Sequence, residues 1–238
     1  MNLLKPNDST SSEPASEDSF LPLLTALVVM LVSVPLLEPV PLLMPVVASL
    51  VLVAGLLAVL RDRSFRAVVI GAVVVCLPLR WGAQFLGSSV PVLILLSHVS
   101  VGISFAILEI VVLVRVIAHR QVTRQTVIGA ICGYLMIGFL FTFVYAVLTF
   151  LHPEAIAVGG QPLGAEQVTN IDQHLADLLY FSFITLATVG YGDIVPVSPA
   201  ARSTVILEAL AGQLYLAAFV ARLIGAMSLP SNNSHSRN

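Results

Sequence analysis

The chain has 238 residues, of which 58% are hydrophobic and only 10% are charged, and its mean hydropathy is +0.98. Soluble domains carry about a quarter charged residues, so this composition excludes a water-soluble globular protein and indicates lipid as the solvent. The formal net charge of −2 gives no indication of a nucleic-acid partner. Cys76 and Cys132 lie within apolar runs, which favours buried thiols over a disulfide framework.

Six apolar runs are long enough to cross a membrane, which takes roughly 20 residues at about 1.5 Å of rise each. The polar tail before them, residues 1–19, is predicted to be disordered because it can bury little apolar area. A second short tail, 229–238, follows the last run. The predicted helices cover approximately residues 20–37, 42–60, 67–86, 90–118, 127–151 and 199–228.

A segment of different character separates the last two helices. It begins with a glycine-rich polar loop, 152–170, and continues as an apolar run, 171–188, that is too short to cross the membrane. We interpret this run as a re-entrant helix that returns through the sequence TVGYGD, residues 188–193. Non-helical backbone at membrane depth is tolerated only where protein buries it or where it lines a wet pathway, so the segment predicts a pore or cavity.

The basic residues predict the orientation of the helices, because they concentrate in cytoplasmic loops. With six crossings, one side collects nearly all of them, and the other side carries mainly acids. Both termini are therefore predicted to be cytoplasmic in a multi-pass protein of the plasma membrane, with the re-entrant loop opening outward. The residues on the basic side are Lys5, Arg61, Arg63, Arg66, Arg115, Arg120, Arg124, Arg222 and Arg237.

The sequence TVGYG, residues 188–192 and here called the filter strand, has glycine at alternate positions. Gly190 and Gly192 can adopt a positive φ without a Cβ clash, so successive carbonyl oxygens can point the same way, with the Thr188 hydroxyl below them. One strand cannot surround an ion, whereas four strands about an axis can replace its hydration shell. Because each chain has one such strand, four chains are required.

The motif TVGYGD, between a re-entrant helix and a long apolar helix, resembles the signature of the potassium channel family, in its six-transmembrane, single-pore-loop prokaryotic type. The resemblance extends over a pore domain at 127–228. It implies a homotetramer that conducts K⁺ passively, without catalytic residues or a cofactor. The residues that it implies for the filter are Thr188, Val189, Gly190, Tyr191 and Gly192, with K⁺ coordinated at the first four.

Further residues are candidates for supporting the filter. The resemblance implies that Tyr180 hydrogen-bonds Asp193 behind the filter strand. Glu208 is an ionisable residue within the last helix, which makes it a functional candidate. It is predicted either to brace the re-entrant helix, through Thr185 or Ser182, or to be a protonated or hydrogen-bonded packing residue.

The last helix is predicted to line a central cavity. Gly212 is similar to the gating-hinge glycine of the family, and close helix packing is the alternative role for this small residue. Residues at spacings of three or four from it continue one helical stripe. The predicted cavity-lining residues, with plain helix packing as the alternative, are Gln213, Leu216, Val220 and Ile224.

The first four helices, within residues 20–126, are predicted to form a peripheral transmembrane domain. A voltage sensor would place arginines at every third position inside an apolar helix. Arg115, Arg120 and Arg124 are instead spaced by five and four residues at the cytoplasmic end of the fourth helix. Strong voltage gating is therefore not predicted.

Together these patterns predict an all-α membrane protein, with six transmembrane helices, a re-entrant pore helix and a filter loop, that assembles as a tetrameric K⁺ channel. A weakly selective cation channel and a non-conducting regulatory or structural membrane subunit are the alternatives. A phosphate-binding glycine loop is disfavoured because no Walker lysine follows the glycines. A hydrolase built on His98 and Glu109 is disfavoured because no nucleophile or metal triad accompanies them.

Overall fold

The computed structural model describes residues 20–36, 43–59, 63–86, 90–118, 122–162 and 171–227. The two predicted tails lie outside these residues, and so do Lys5, Arg61, Arg120 and Arg237 of the predicted cytoplasmic side.

The described part of the chain contains seven helices, and each coincides with a predicted run to within four residues at either end. Apolar composition fixes these elements because a helix satisfies all of its own backbone hydrogen bonds in lipid. The helices are α1, Leu21–Leu36; α2, Leu43–Val59; α3, Arg63–Leu86; α4, Pro91–Ala118; α5, Arg124–Leu151; α6, Ile171–Leu186; and α7, Pro199–Met227.

Four of the described helices, α3, α4, α5 and α7, have the length and hydropathy needed to cross a membrane. Helices α1 and α2 are strongly apolar but have only 16 and 17 residues, fewer than the roughly 20 of a typical crossing. Helix α6 is also short, with its apolar part at His174–Leu186. The chain is thus a multi-pass membrane protein.

Helix α5 lies at the centre of the packing, and its glycines let neighbouring helices approach closely. A Cβ atom at Gly129 would lie 2.9 Å from Val116 of α4 and 3.1 Å from Phe20, just before α1. A Cβ atom at Gly138 would lie 2.7 Å from the ring of Phe183 on α6. The absence of side chains at these positions therefore brings α1, α4 and α6 against one helix.

The apolar core continues from the first four helices into the region of the filter. Phe105 of α4 lies 5.6 Å from Phe139 and 5.7 Å from Phe143 of α5, measured between ring centroids. Leu175 and Leu179 of α6 belong to the same buried cluster. Helix α6 is consequently held from behind by a core to which the first five helices contribute.

The glycine-rich loop before α6 contributes two strands to a small sheet that the sequence analysis did not predict. Strand β1, Ile156–Val158, pairs antiparallel with β2, Gln161–Pro162, and with β3, Ile194–Pro196. Gly159 and Gly160 have φ values of +58° and +80°, as a two-residue hairpin turn requires. The sheet fastens the loop before α6 to the segment that follows the filter strand.

Candidate ion-conduction site

The sign of the backbone φ angle alternates along the filter strand. Thr188, Gly190 and Gly192 have φ values of +56°, +54° and +83°, whereas Val189 and Tyr191 between them do not have a positive φ. An alternation of this kind allows successive carbonyl oxygens to point toward the same side of a strand. The two glycines adopt the sign of φ that the sequence predicted, and Thr188 adds a third left-handed position that it did not.

Three backbone hydrogen bonds hold the start of the filter strand on the last turn of α6. The N–H of Thr188 donates to the carbonyl oxygen of Thr185 at 2.9 Å. The N–H groups of Val189 and Gly190 both donate to the carbonyl oxygen of Ile184, at 2.8 and 3.3 Å. These bonds satisfy carbonyl groups that the end of a helix leaves without partners, and they fix the strand to α6.

Asp193 anchors the other end of the filter strand. The N–H of Gly159, beside β1, donates to the carbonyl oxygen of Asp193 at 2.9 Å. The side chain of Tyr180 on α6 hydrogen-bonds the Asp193 carboxylate. The structure therefore brings Tyr180 and Asp193 together in the contact that the resemblance implied.

The filter strand is exposed in the single chain. Val189 is 50% exposed and Tyr191 is 73% exposed, although the helix that precedes them is largely buried. The predicted cavity stripe on α7 is also exposed at each of its positions, Gln213, Leu216, Val220 and Ile224. One chain thus leaves uncovered the strand and the helix face that the sequence assigns to the conduction pathway.

Gly212 lies where α7 crosses the end of α6. A Cβ atom at this glycine would lie 2.7 Å from the carbonyl oxygen of Leu186, the last residue of α6. The hydroxyl group of Tyr134 on α5 donates to the same oxygen at 3.3 Å. This geometry supports the close-packing alternative for Gly212, and the hinge role stays a prediction.

Glu208 is fully buried behind α6. The hydroxyl group of Tyr145 on α5 donates to its Oε2 at 2.6 Å, and Ser182 Oγ of α6 lies 2.5 Å from its Oε1. Of the two contacts predicted for Glu208, the structure therefore contains the one with Ser182. The Glu208 carboxyl group thus connects α5, α6 and α7.

Two tyrosines of α5, Tyr134 and Tyr145, take part in this site and were missed from the sequence. Tyr145 packs on Phe181 of α6 with ring centroids 5.0 Å apart. A tyrosine in an apolar helix needs a hydrogen-bond partner for its hydroxyl group when it is buried. The need for a partner was the signal in the sequence that could have singled out these two tyrosines, but it does not identify the residue that each of them bonds.

A short apolar helix, an exposed strand whose φ alternates in sign and a following long apolar helix are the arrangement expected of an ion-channel pore. Comparison with known proteins agrees: residues 133–228 match a family described as ion channel, which is a family of channels and not of enzymes. This region is thus an ion-channel pore domain.

One similar protein is the inward rectifier potassium channel Kirbac3.1 of Paramagnetospirillum magnetotacticum, which is 40% identical over 55 residues. The similarity covers 23% of this chain and 19% of that protein. No solved structure matches the chain.

Proposed function

We propose that this protein is a K⁺-selective channel, in which four copies of the chain surround one conduction pathway in the plasma membrane. The observation that carries the proposal is the alternation of φ along TVGYG, at Thr188, Gly190 and Gly192. Carbonyl oxygens aligned in this way replace the hydration shell of K⁺. The distant similarity to a potassium channel is consistent with this choice of ion.

The need for four copies follows from the geometry of one. A single strand presents its oxygens to an ion from one side only, and here the strand is exposed. A closed cyclic arrangement lets identical strands face a common axis. Helix α7 offers an apolar surface for neighbouring copies or for lipid: Leu207, Leu210 and Leu214 are each more than half exposed.

The electrostatics of α6 also favour a cation. The C-terminal end of a helix carries about half a negative charge, and α6 ends at Leu186, two residues before Thr188. Asp193 adds a carboxylate at the other end of the strand and is itself exposed. The strand thus lies between two sources of negative potential.

The proposed topology counts α1 and α2 with the four long helices, which gives six crossings with both termini in the cytoplasm. It rests on the distribution of the basic residues, since six crossings collect Arg66, Arg115, Arg124 and Arg222 on one side. In this topology residues 20–126 form the peripheral domain and residues 127–228 form the pore domain.

Flux of Rb⁺ tests the proposed function directly. Liposomes that contain the purified protein should take up Rb⁺, with block by Ba²⁺ and little competition from Na⁺. Equal competition by Na⁺ would indicate a weakly selective cation channel, and no uptake would indicate a non-conducting subunit. Native mass spectrometry of the same preparation should give a tetramer.

A matched pair of glycine substitutions assigns the flux to the filter strand. Gly190→Ala and Gly160→Ala both place a side chain at a positive φ, with values of +54° and +80°, at a cost of roughly 1–2 kcal/mol each. Gly160 lies in the turn between β1 and β2, outside the strand. Rb⁺ uptake should be lost in Gly190→Ala and retained in Gly160→Ala; equal uptake by both variants would contradict the assignment.

A further inference from the structure

A network of buried polar groups ties α5, α6 and α7 together behind the filter strand. Its centre is Glu208, whose side chain has no exposed surface. Oε2 accepts a hydrogen bond from Tyr145 at 2.6 Å, and Oε1 lies 2.5 Å from Ser182 Oγ. Ser182 Oγ in turn lies 2.7 Å from the carbonyl oxygen of Gly138. Ser182 is itself fully buried.

The number of protons in this network depends on the state of Glu208. A hydroxyl group supplies one proton, an ionised carboxylate supplies none, and a carbonyl oxygen only accepts. With Glu208 ionised, Tyr145 and Ser182 supply two protons for three contacts. Either Ser182 and Glu208, or Ser182 and Gly138, would then face each other as oxygens without a proton between them.

A proton on Glu208 completes the network. Tyr145 then donates to Oε2, the Glu208 carboxyl donates from Oε1 to Ser182, and Ser182 donates to Gly138. Each contact has one proton and one acceptor. The Gly138 oxygen also accepts a bond from Thr142 Oγ1 at 2.8 Å, besides the backbone N–H that a carbonyl group within a helix accepts.

The surroundings of Glu208 are also those of a neutral group. Within the described residues, the polar groups that act on its carboxyl are the hydroxyl groups of Ser182 on α6 and Tyr145 on α5. The further titratable group that senses it is Tyr134, again a neutral phenol. A buried carboxylate without a cation is strongly unfavourable, whereas a carboxylic acid with both oxygens hydrogen-bonded is not.

We infer that Glu208 is a positioning residue held in its protonated form, whose proton fixes α6 between α5 and α7 through Ser182. Ser182 lies on α6 one turn before Leu186, where the helix ends and the filter strand begins. A helix is stiff over this distance, so the bond that fixes Ser182 also fixes the start of the strand. The consequence for conduction rests on the proposed function, whereas the protonation of Glu208 does not.

Two substitutions distinguish a neutral from an ionised role for Glu208. In Glu208→Gln the amide group donates to Ser182 and accepts from Tyr145, so all three contacts keep a proton. In Glu208→Leu the volume is similar, but Ser182 and Tyr145 lose their partner. We expect Rb⁺ flux per tetramer to stay within about twofold of the original in Glu208→Gln and to fall about tenfold or more in Glu208→Leu.

The infrared spectrum provides a readout that does not require conduction. The carbonyl stretching band of a protonated carboxylic acid should be present at neutral pH and should lose intensity in Glu208→Gln. Glu109→Gln is the matched control, since Glu109 is the other buried glutamate of the described helices. That variant should keep the Glu208 contribution to the band.

The proposal is overturned if Glu208→Gln removes no protonated-acid band, or if it reduces flux as severely as Glu208→Leu. If Glu208→Leu fails to assemble, Ser182→Ala is the milder variant, because it removes the hydroxyl group between Glu208 and Gly138 and keeps the glutamate. It should lower the thermal midpoint of the tetramer, and a midpoint equal to that of the original protein would count against the inference. If the original protein shows no Rb⁺ flux but does show the protonated-acid band of Glu208, the proposed function is refuted and the protonation of Glu208 still holds.

Discussion

Gly133 of α5 packs directly against the hydroxyl group of Tyr215 on α7. A Cβ atom at this glycine would overlap the hydroxyl oxygen and would lie 3.3 Å from Oε1 of Glu109 on α4. The same hydroxyl group donates to the carbonyl oxygen of Ala130 at 2.8 Å. The missing side chain therefore allows α4, α5 and α7 to meet at one point. Through it the fourth helix approaches the helix that is predicted to line the cavity.

Gly133→Ala should destabilise the protein, because the added methyl group displaces the Tyr215 hydroxyl from Ala130. Overpacking of this kind costs about 1–3 kcal/mol, and the thermal midpoint of the purified protein should fall accordingly. Gly71→Ala is the control, since a Cβ atom at Gly71 on α3 meets nothing within 4 Å.

Removal of the clashing hydroxyl group tests the cause of that loss. In the double variant Gly133→Ala, Tyr215→Phe the overlap is relieved, so it should be more stable than Gly133→Ala alone. Strictly additive losses from the two single substitutions would show that the methyl group acts elsewhere, because residues in contact are expected to couple.

Gly212→Ala should disturb the end of α6. The new methyl group would lie 2.7 Å from the carbonyl oxygen of Leu186, so α7 or the last turn of α6 must shift. We expect a lower Rb⁺ flux at an unchanged tetramer content, with Gly71→Ala again as the control. If Gly212 were only a hinge, the substitution would alter the opening of the channel and leave the infrared signature of the α6 carbonyl groups unchanged.

Tyr180→Phe should change the time for which the pore stays conductive. The substitution keeps the ring and removes the hydroxyl group that hydrogen-bonds Asp193. Single-channel records in planar bilayers would measure the open dwell times. Asp193→Asn should act in the same direction, and the two effects should be less than additive; unchanged dwell times in Tyr180→Phe would refute the bracing role.

Thr188→Val should reduce the discrimination between K⁺ and Na⁺. Valine keeps the shape of threonine but removes the hydroxyl group at the start of the filter strand. We expect the ratio of Rb⁺ to Na⁺ uptake to fall about tenfold, the equivalent of one lost polar contact. Thr25→Val on α1 is the control, because the exposed Thr25 hydroxyl group donates to the carbonyl oxygen of Leu21 within its own helical turn. An unaltered ratio in Thr188→Val would exclude the hydroxyl group from the site.

The helices and the glycine positions of the filter strand were predictable because both depend on short-range properties. A run of apolar residues forms a helix in lipid wherever it lies in the fold. Glycine at positions 190 and 192 permits a positive φ without reference to any neighbour. The pairing of Tyr180 with Asp193 came from the resemblance rather than from local pattern.

Thr188 shows what local reasoning does not reach. A β-branched residue at a positive φ is disfavoured on its own, and here the hydrogen bonds between the filter strand and the end of α6 impose it. The small sheet of β1, β2 and β3 was likewise missed, because its strands are two or three residues long and β3 is separated from the other two by α6 and the filter strand.

By itself, the sequence determined a multi-pass helical membrane protein with a glycine-bearing strand between a short and a long apolar helix. Only the tertiary structure decided that Glu208 contacts Ser182 and not Thr185, and that Tyr145 donates a hydrogen bond to its other oxygen. It also decided that the missing side chain of Gly133 lets Glu109 and Tyr215 approach each other. The physical reason is one of range. Propensity and periodicity act over a few neighbouring residues, whereas these contacts join helices that are far apart in sequence and depend on their relative rotation and depth.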